Sequence, residues 1–186
     1  GGSLLGNGTE NCGGFVGWTR TEYNYASLTI MNSLFAPDSL GVSNTGSSTF
    51  SRHSEMANYP APTILSSYYT QALGATNGQG RQAYSITAGE YVTMEIVGDS
   101  TEYEVSGLTL YPVGIEFNDV LYAGSGDNVS LNLSSEIPEG FTFNGYNVSN
   151  GGTLSGEDPY TLTMPNDNVT VTADYSIEWP GTGTTS

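Results

Sequence analysis

The residue types that carry out acid–base or nucleophilic chemistry are few in this chain. The one histidine, His53, lies between Ser51 and Glu55, which together are the residue types of a serine–histidine–acid triad. Nearness in sequence does not produce triad geometry, and the chain has no Gly-x-Ser-x-Gly turn to expose a nucleophilic serine. The one cysteine, Cys12, has no local signature that would pair it with His53 in a thiol enzyme. We therefore predict no catalytic residue and expect that the protein is not an enzyme.

Metal binding has little support in the sequence. One cysteine and one histidine cannot fill a structural zinc site. Calcium prefers oxygen ligands, and five aspartates lie in or beside predicted turns: Asp99, Asp119, Asp127, Asp158 and Asp167. None has EF-hand spacing, and aspartate is an ordinary turn residue. We expect no metal and no cofactor; Ca²⁺ binding stays open, without a motif to support it.

The charge balance excludes several classes of partner. The 186 residues include no lysine and three arginines against 19 acidic residues, for a net charge of -16. Phosphate-binding and Schiff-base lysines are therefore absent, and nucleic-acid binding is excluded because it needs clustered cations. No run approaches the roughly 18 apolar residues of a membrane span, so we expect no membrane insertion. Residues 1–80 carry a net charge of -2 and residues 81–186 a net charge of -14, which indicates two regions with different surfaces.

Aromatic residues are the remaining candidates for binding. The chain has 13 tyrosines and two tryptophans. Most of these rings are expected to fill a β core, but Trp18 and Trp179 could stack on sugar rings, because rings with a polar edge suit wet interfaces.

The elements that would position these residues are mostly strands. Apolar and polar residues alternate over four clear runs and five weaker ones: 92–96, 129–133, 160–164 and 169–175, then 28–30, 103–105, 108–110, 120–122 and 141–143. Alternation is typical of half-buried antiparallel strands. Gly- and Asn-rich pairs between the runs, Asn144-Gly145 among them, predict tight turns. The predicted fold is therefore all-β, mostly antiparallel and sandwich-like or built of β-repeat units.

One segment departs from this pattern. Apolar pairs recur at helical spacing in residues 64–73, with Pro62 before them and Gly74 after them. Proline near the start and glycine at the end are helix boundary signals, so we predict one short helix over 64–73.

The C-terminal third carries a recognisable pattern. It comprises Gly126-Asp-Asn-Val-Ser-Leu131, then Glu139-Gly-Phe-Thr-Phe-Asn-Gly-Tyr146, then a run from Tyr160 to Ala173 that contains Thr-Met-Pro-Asn-Asp-Asn-Val-Thr-Val-Thr. About sixty residues in all resemble the internalin-type B-repeat, the Listeria–Bacteroides surface repeat. Tyr146, Leu162 and Asn168 replace the usual Trp, Phe and Asp. Gly14-Phe-Val-Gly-Trp18 is a weaker echo of one step of this pattern.

The resemblance implies a bacterial, exported, cell-surface module without a common active site. We expect one buried face in it, formed by Phe141, Phe143, Tyr146, Leu162, Met164, Val169 and Val171. A boundary near Pro112 then predicts three parts: a β-rich domain over 1–112 of no recognised family, the repeat domain over 113–176, and a flexible tail or linker over 177–186.

The predicted function is a non-enzymatic, extracellular structural or adhesive surface protein. It could be the subunit of a filament assembled by strand exchange, because all-β chains have strand edges that pair with other chains. Leu4, Leu5, Ile177 and Trp179 are the candidate assembly anchors near the two ends. The alternative is a carbohydrate-binding module that uses Trp18 and Trp179. Expected partners are other copies of the chain, other surface proteins or glycans.

Overall fold

The protein is all-β in the part of the chain that the structure describes. The computed structural model describes residues 2–17, 27–52, 61–89, 108–111, 115–133, 137, 141–157 and 159–177. Their strands are β1 (Ser3–Leu5), β2 (Thr29–Met31), β3 (Leu34–Phe35), β4 (Ser39–Gly41), β5 (Thr63–Leu65), β6 (Tyr68–Tyr69), β7 (Arg81–Ala88), β8 (Leu108–Tyr111), β9 (Ile115–Phe117), β10 (Val120–Gly124), β11 (Asn128–Leu133), β12 (Phe141–Val148), β13 (Thr153–Ser155), β14 (Tyr160–Thr163) and β15 (Val169–Ile177). These residues contain no helix, and hence none that is long and apolar enough to span a membrane.

The chain divides into two compact units. The first contains Gly1–Tyr84, Gly114–Phe117 and Tyr122–Gly124, and the second contains the remaining residues. Strand β7 begins in the first unit and ends in the second. The sequence-based boundaries 1–112, 113–176 and 177–186 stay a prediction.

The first unit is a stack of chain turns joined by parallel strand pairs. We call the described residues between 2 and 35 coil 1 and the described residues between 36 and 70 coil 2. β1 pairs with β4, β2 with β5 and β3 with β6, always between residues 34 or 36 positions apart in the sequence. Isolated parallel bridges join Gly13 to Ser48 and Val16 to Ser51. A partial third turn follows, because β6 also pairs with β7 and Ser48 also pairs with Ala75. The expected antiparallel arrangement is therefore wrong for these pairs.

Both coils contain a corner with the same backbone conformation and the same serine hydrogen bond. Asn32 and Ser66 both have left-handed backbone conformations, with φ of 49° and 45°. The serine that follows each of them, Ser33 or Ser67, donates its hydroxyl to the carbonyl two residues earlier, at 2.9 and 2.8 Å. Short polar side chains favour such local hydrogen bonds and tolerate turns, so the two corners are one repeated device.

The interior of the stack combines apolar and polar side chains. Its buried apolar cluster consists of Ile30, Phe35, Phe50, Tyr69 and Leu73. The side-chain oxygen of buried Gln79 accepts hydrogen bonds from the backbone N–H groups of Phe50 and Ser51, both at 2.9 Å. Polar groups are tolerated in this core because most of them are paired.

The predicted helix over 64–73 is absent. The segment instead forms β5, the Ser66–Ser67 corner and β6, and then continues to Leu73, which is fully buried. The helix-like spacing arises because Ile64 and Tyr69 of coil 2, and Leu73 just after it, all contribute to the same core.

The second unit is mainly antiparallel, as predicted. One sheet has the order β13-β14-β11-β8. In the other, β12 pairs antiparallel with β15, whose start pairs in parallel with the end of β7. Tyr160 of β14 contacts Phe143 and Tyr146 of β12, with ring centroids 6.1 and 5.3 Å apart, so aromatic side chains join the two sheets. The predicted runs 92–96 and 103–105 lie outside the described residues.

The predicted buried face of the repeat is largely present. Tyr146, Leu162, Met164, Val169 and Val171 are buried, whereas Phe141 and Phe143 are only half-buried.

Asn144-Gly145 is not the predicted turn but a β-bulge inside β12. The register with β15 shifts between Phe143 and Gly145, and Gly145 has a φ of 123°. A glycine is needed there because other residues rarely adopt that conformation.

Candidate functional site

One concave feature of the described residues is an apolar cleft in the first unit. Its volume is about 330 Å³. The lining residues are Gly2, Ser3, Leu4, Gly14, Phe15, Leu34, Phe35, Ala36, Pro37 and Phe117. Apart from Phe117, all of them belong to coil 1 or to the first two residues after it. The cleft is thus built by coil 1 and bordered by one residue of β9.

Two aromatic side chains remain exposed at this cleft. Phe15 is 50% exposed and Phe117 is 40% exposed, although large apolar side chains are usually buried. Phe15 is held by edge-to-face contacts with Phe35 and Phe50, at centroid distances of 5.7 and 5.2 Å. The exposed ring therefore has a fixed position on the core beneath it, which suits a binding surface.

Gly14 allows the chain to approach that core closely. A Cβ atom added at Gly14 would lie 2.7 Å from Cε2 of Phe35 and would also clash with the carbonyl of Thr49. A side chain at this position would push Phe15 away from the Phe35 ring, so the glycine helps to shape the cleft.

The strands beside the cleft each have one edge to which no strand in the described part of the chain pairs. Among the described residues, β1, β2 and β3 of coil 1 each pair with one strand only, which belongs to coil 2. β6 of coil 2, by contrast, pairs on both sides. An unpaired strand edge presents N–H and C=O groups to which another extended chain can bind.

The chemistry of the cleft favours binding over catalysis. None of its ten lining residues is ionisable. The cleft can bury apolar or aromatic groups, and the adjacent backbone can supply hydrogen bonds, but no lining side chain can act as a general acid or base.

The predicted assembly anchors near the start of the chain have different environments. Leu4 is half-buried, packs on the core of the stack and lines the cleft. Leu5 is 73% exposed. Both belong to β1, so this segment is part of the stack.

Of the other predicted anchors and sugar-stacking residues, the structure describes only Ile177. Ile177 is the last residue of β15, where its backbone is opposite Phe141. Trp18 and Trp179 lie outside the described residues. The carbohydrate-binding alternative rests on these two tryptophans and stays a prediction.

The described part of the chain does not bring the candidate catalytic residues together into a site. Ser51 is fully buried, and its hydroxyl has no hydrogen-bond partner there. His53 and Glu55 lie outside the described residues. Cys12 is half-buried against the core of the stack, with its Sγ 3.5 Å from the carbonyl oxygen of Thr9.

The candidate calcium ligands that the structure describes do not form a cluster. Asp119, Asp127 and Asp167 are described, and no three acidic, histidine or cysteine side chains within the described ranges are close enough together to hold a metal ion. Asp99 and Asp158 lie outside these ranges.

The second unit contains a packed aromatic cluster of Phe143, Tyr146, Tyr160 and Tyr175. Phe143 contacts all three tyrosine rings at centroid distances of 4.9 to 6.1 Å. Edge-to-face packing directs the rings at one another, so this cluster mainly joins the two sheets. Burial raises the pKa of the Tyr175 hydroxyl above its ordinary value of 10.0.

The strands β9 to β15 coincide with a known repeat. Residues 115–178 match the family model of the divergent InlB B-repeat domain. This match confirms the resemblance found in the sequence and associates the B-repeat segment with bacterial surface repeat proteins. A comparison of the chain with curated proteins and with solved structures found no match.

The cleft itself was not predicted from the sequence. Of its aromatic residues, the sequence analysis singled out only Phe15, as part of a weak echo of the B-repeat, yet Gly13 and Val16 on either side of it pair in the parallel stack. A repeat within the first unit was the missed signal: Thr29-Ile-Met-Asn-Ser-Leu-Phe35 aligns with Thr63-Ile-Leu-Ser-Ser-Tyr-Tyr69. Such self-similarity at a fixed period indicates stacked turns.

Proposed function

We propose that the chain is a non-enzymatic, extracellular protein of the bacterial surface whose first unit makes protein–protein contacts. The observation that carries this proposal is the apolar cleft of coil 1, with Phe15 and Phe117 exposed beside strand edges to which no other described strand pairs. The B-repeat segment, which also contributes Phe117 to the cleft, acts as a structural spacer.

The cleft suits a protein partner because it combines two modes of recognition. Main-chain pairing at a strand edge provides affinity, and pockets for side chains provide specificity. Fixed aromatic rings such as Phe15 are favourable contact residues because little side-chain entropy is lost when they bind. The partner is another copy of the chain or another surface protein.

The location at the surface is supported by the family match and by composition. The repeat family is associated with bacterial surfaces. With no lysine and three arginines, the chain offers few sites to trypsin-like proteases, which suits an exposed protein. Antibody labelling of intact producing cells tests this point: labelling that appears only after permeabilisation would contradict it.

The contact role is tested with paired surface variants. Sedimentation velocity is measured over roughly 1–100 μM, a range that reveals weak association. Phe15→Ser and Phe117→Ser should each weaken self-association, or capture of a surface protein from the producing cell, by about tenfold or more. Leu65→Ser is the matched control, because Leu65 is 49% exposed but does not line the cleft. Equal effects of all three substitutions, or none, would contradict the proposal.

A further inference from the structure

We propose that the cleft of coil 1 receives residues 178–186 of a second copy of this chain, with Trp179 in the apolar cleft and the residues after it paired to the open strand edge. This inference rests on the proposed contact function and names the partner of the same site. It makes coil 1 the acceptor and the C-terminal segment the donor of a head-to-tail assembly.

The acceptor has the properties that an aromatic anchor requires. The cleft has a volume of about 330 Å³, and its wall includes Leu4, Phe15, Phe35 and Phe117. Aromatic rings bind well to other rings in offset or edge-to-face geometry, as Phe15 already does with Phe35. Ser3 and Leu4 of β1 line the same cleft, so a strand paired to β1 would place its side chains beside it.

The donor matches the cleft in charge. The protein has a net charge of -16, yet the only ionisable side chain of the donor is Glu178 at its start, and the sequence from Trp179 to Ser186, Trp-Pro-Gly-Thr-Gly-Thr-Thr-Ser, contains none. The residues from Trp179 onward can therefore enter an uncharged cleft without the cost of burying an unpaired charge, while Glu178 stays outside it. Its threonines also favour extended backbone.

The donor also has sufficient length. β15 ends at Ile177, and nine residues follow it in the sequence. A fully extended chain spans about 3.3–3.6 Å per residue, so this segment reaches roughly 30 Å from β15.

Pro180 is compatible with pairing on one side. In a strand, successive side chains and successive backbone groups alternate in direction. If Trp179 points into the cleft and its backbone bonds to β1, the backbone nitrogen of Pro180 faces away from β1, where no donor is needed. Proline on that outer side also prevents a further strand from adding.

The segment at the start of the chain is the less suitable donor. Ser3–Leu5 already forms β1 and pairs with β4, and Leu4 packs on the core of the stack. Its release would break contacts that hold coil 1 together, so these residues belong to the acceptor.

The proposal is tested by complementation between two defective full-length partners. One chain is truncated after Ile177, which removes the donor and leaves the cleft intact. The other carries Phe117→Asp, which places a charge at the cleft and leaves the donor intact. Each should be monomeric alone, whereas an equimolar mixture should form a 1:1 heterodimer by sedimentation velocity and mass photometry. Adding Trp179→Ala to the Phe117→Asp chain should abolish the heterodimer.

The controls separate folding defects from loss of docking. Leu65→Asp should associate like the unmodified chain, and circular dichroism with urea unfolding should show that each variant is folded. Phe15→Asp serves as the second acceptor variant if Phe117→Asp does not fold.

The outcomes distinguish this inference from the contact function on which it rests. If the truncated chain associates as strongly as the full chain, residues 178–186 are not the occupant, although self-association stands. If the full chain is monomeric and the truncated chain binds a synthetic peptide of residues 178–186, docking occurs within one chain and the second-copy proposal is wrong. If the full chain is monomeric and the peptide does not bind, the inference is wrong and only contact with other surface proteins remains.

Discussion

At the residue scale, the two units use different kinds of buried contact. In the first unit, buried polar side chains such as Thr49 and Gln79 take part in the core, and they satisfy backbone groups that short strands leave unpaired. Among the second unit's residues whose burial the structure describes, the buried side chains are apolar or aromatic, with Val129 and Leu162 completely inaccessible. Substitutions at buried positions should therefore lower the stability of the two units for different physical reasons.

Gln79→Ala should destabilise the first unit through unpaired backbone groups. It leaves the N–H groups of Phe50 and Ser51 buried without their acceptor, and each such group costs about 1–3 kcal/mol. We expect a loss of roughly 2–6 kcal/mol in urea unfolding. Gln71→Ala is the control, because Gln71 is exposed and should change stability by less than about 0.5 kcal/mol.

Leu162→Ala should destabilise the second unit by leaving a cavity. The side chain is fully buried, and leucine-to-alanine changes at such sites cost about 2–5 kcal/mol. Phe143→Ala should cost less than complete burial would imply, because Phe143 is half-buried. A larger loss for Phe143→Ala than for Leu162→Ala in chemical denaturation would show that the aromatic cluster, and not the leucine, carries the packing.

Tyr175 should make stability fall at alkaline pH. Because burial raises its pKa in the folded chain, the unfolded chain loses the proton first as the pH rises. This contribution to stability is therefore complete below pH 10 and is lost as the pH rises through the folded pKa. Tyr175→Phe should flatten the fall of the urea midpoint above about pH 10; an unchanged profile would assign the effect to other groups.

At the element scale, prediction from sequence succeeded where strands are long and half-buried. The alternating runs that became β11, β14 and β15 were found because each has one core face and one exposed face. The β-rich character of the first unit was predicted but its parallel stack was not, because β1 to β6 have only two or three residues, too few to show a period. The cleft was not predicted either, because its lining residues come from separate parts of coil 1 and lie together only once the chain stacks in parallel turns.

The bulge in β12 predicts a position that does not tolerate a side chain. Gly145→Ala should cost about 1–3 kcal/mol, because φ of 123° is strained for alanine and the new Cβ would lie 3.2 Å from the Tyr160 hydroxyl oxygen. Gly17→Ala is the comparison, because Gly17 has open space around it. A cost below about 0.5 kcal/mol for Gly145→Ala would mean that the bulge can move to another residue.

At the scale of the whole molecule, the main property is a large negative charge with an uneven distribution. Fifteen of the 19 carboxylates lie in residues 81–186, against Arg81 alone. Self-repulsion of this kind destabilises a compact state and opposes association between copies. The apolar cleft of coil 1 lies in the region of the sequence that carries less charge, which favours it as the place of contact.

Salt should therefore strengthen both folding and assembly. Between about 0.02 and 0.5 M NaCl the screening length falls severalfold, so the urea midpoint and the weight-average mass should both rise. CaCl₂ at the same ionic strength tests the open question of calcium: an equal effect indicates screening alone, and a clearly larger one indicates specific sites. A fall in mass with added NaCl would contradict the view that charge opposes assembly.

The parallel stacking of coil 1 on coil 2 also sets the order in which the first unit can form. Each strand of coil 1 pairs with residues that lie 34 or 36 positions later in the sequence, whereas β6 and β7 pair between residues only 13 apart. Closing a shorter loop loses less chain entropy, so the turn from β6 to β7 should nucleate the stack. Coil 1 is synthesised first but should be completed last. Its apolar rings thus stay uncovered for longest in the newly made chain, and substitutions in coil 2 should slow folding more than substitutions in coil 1.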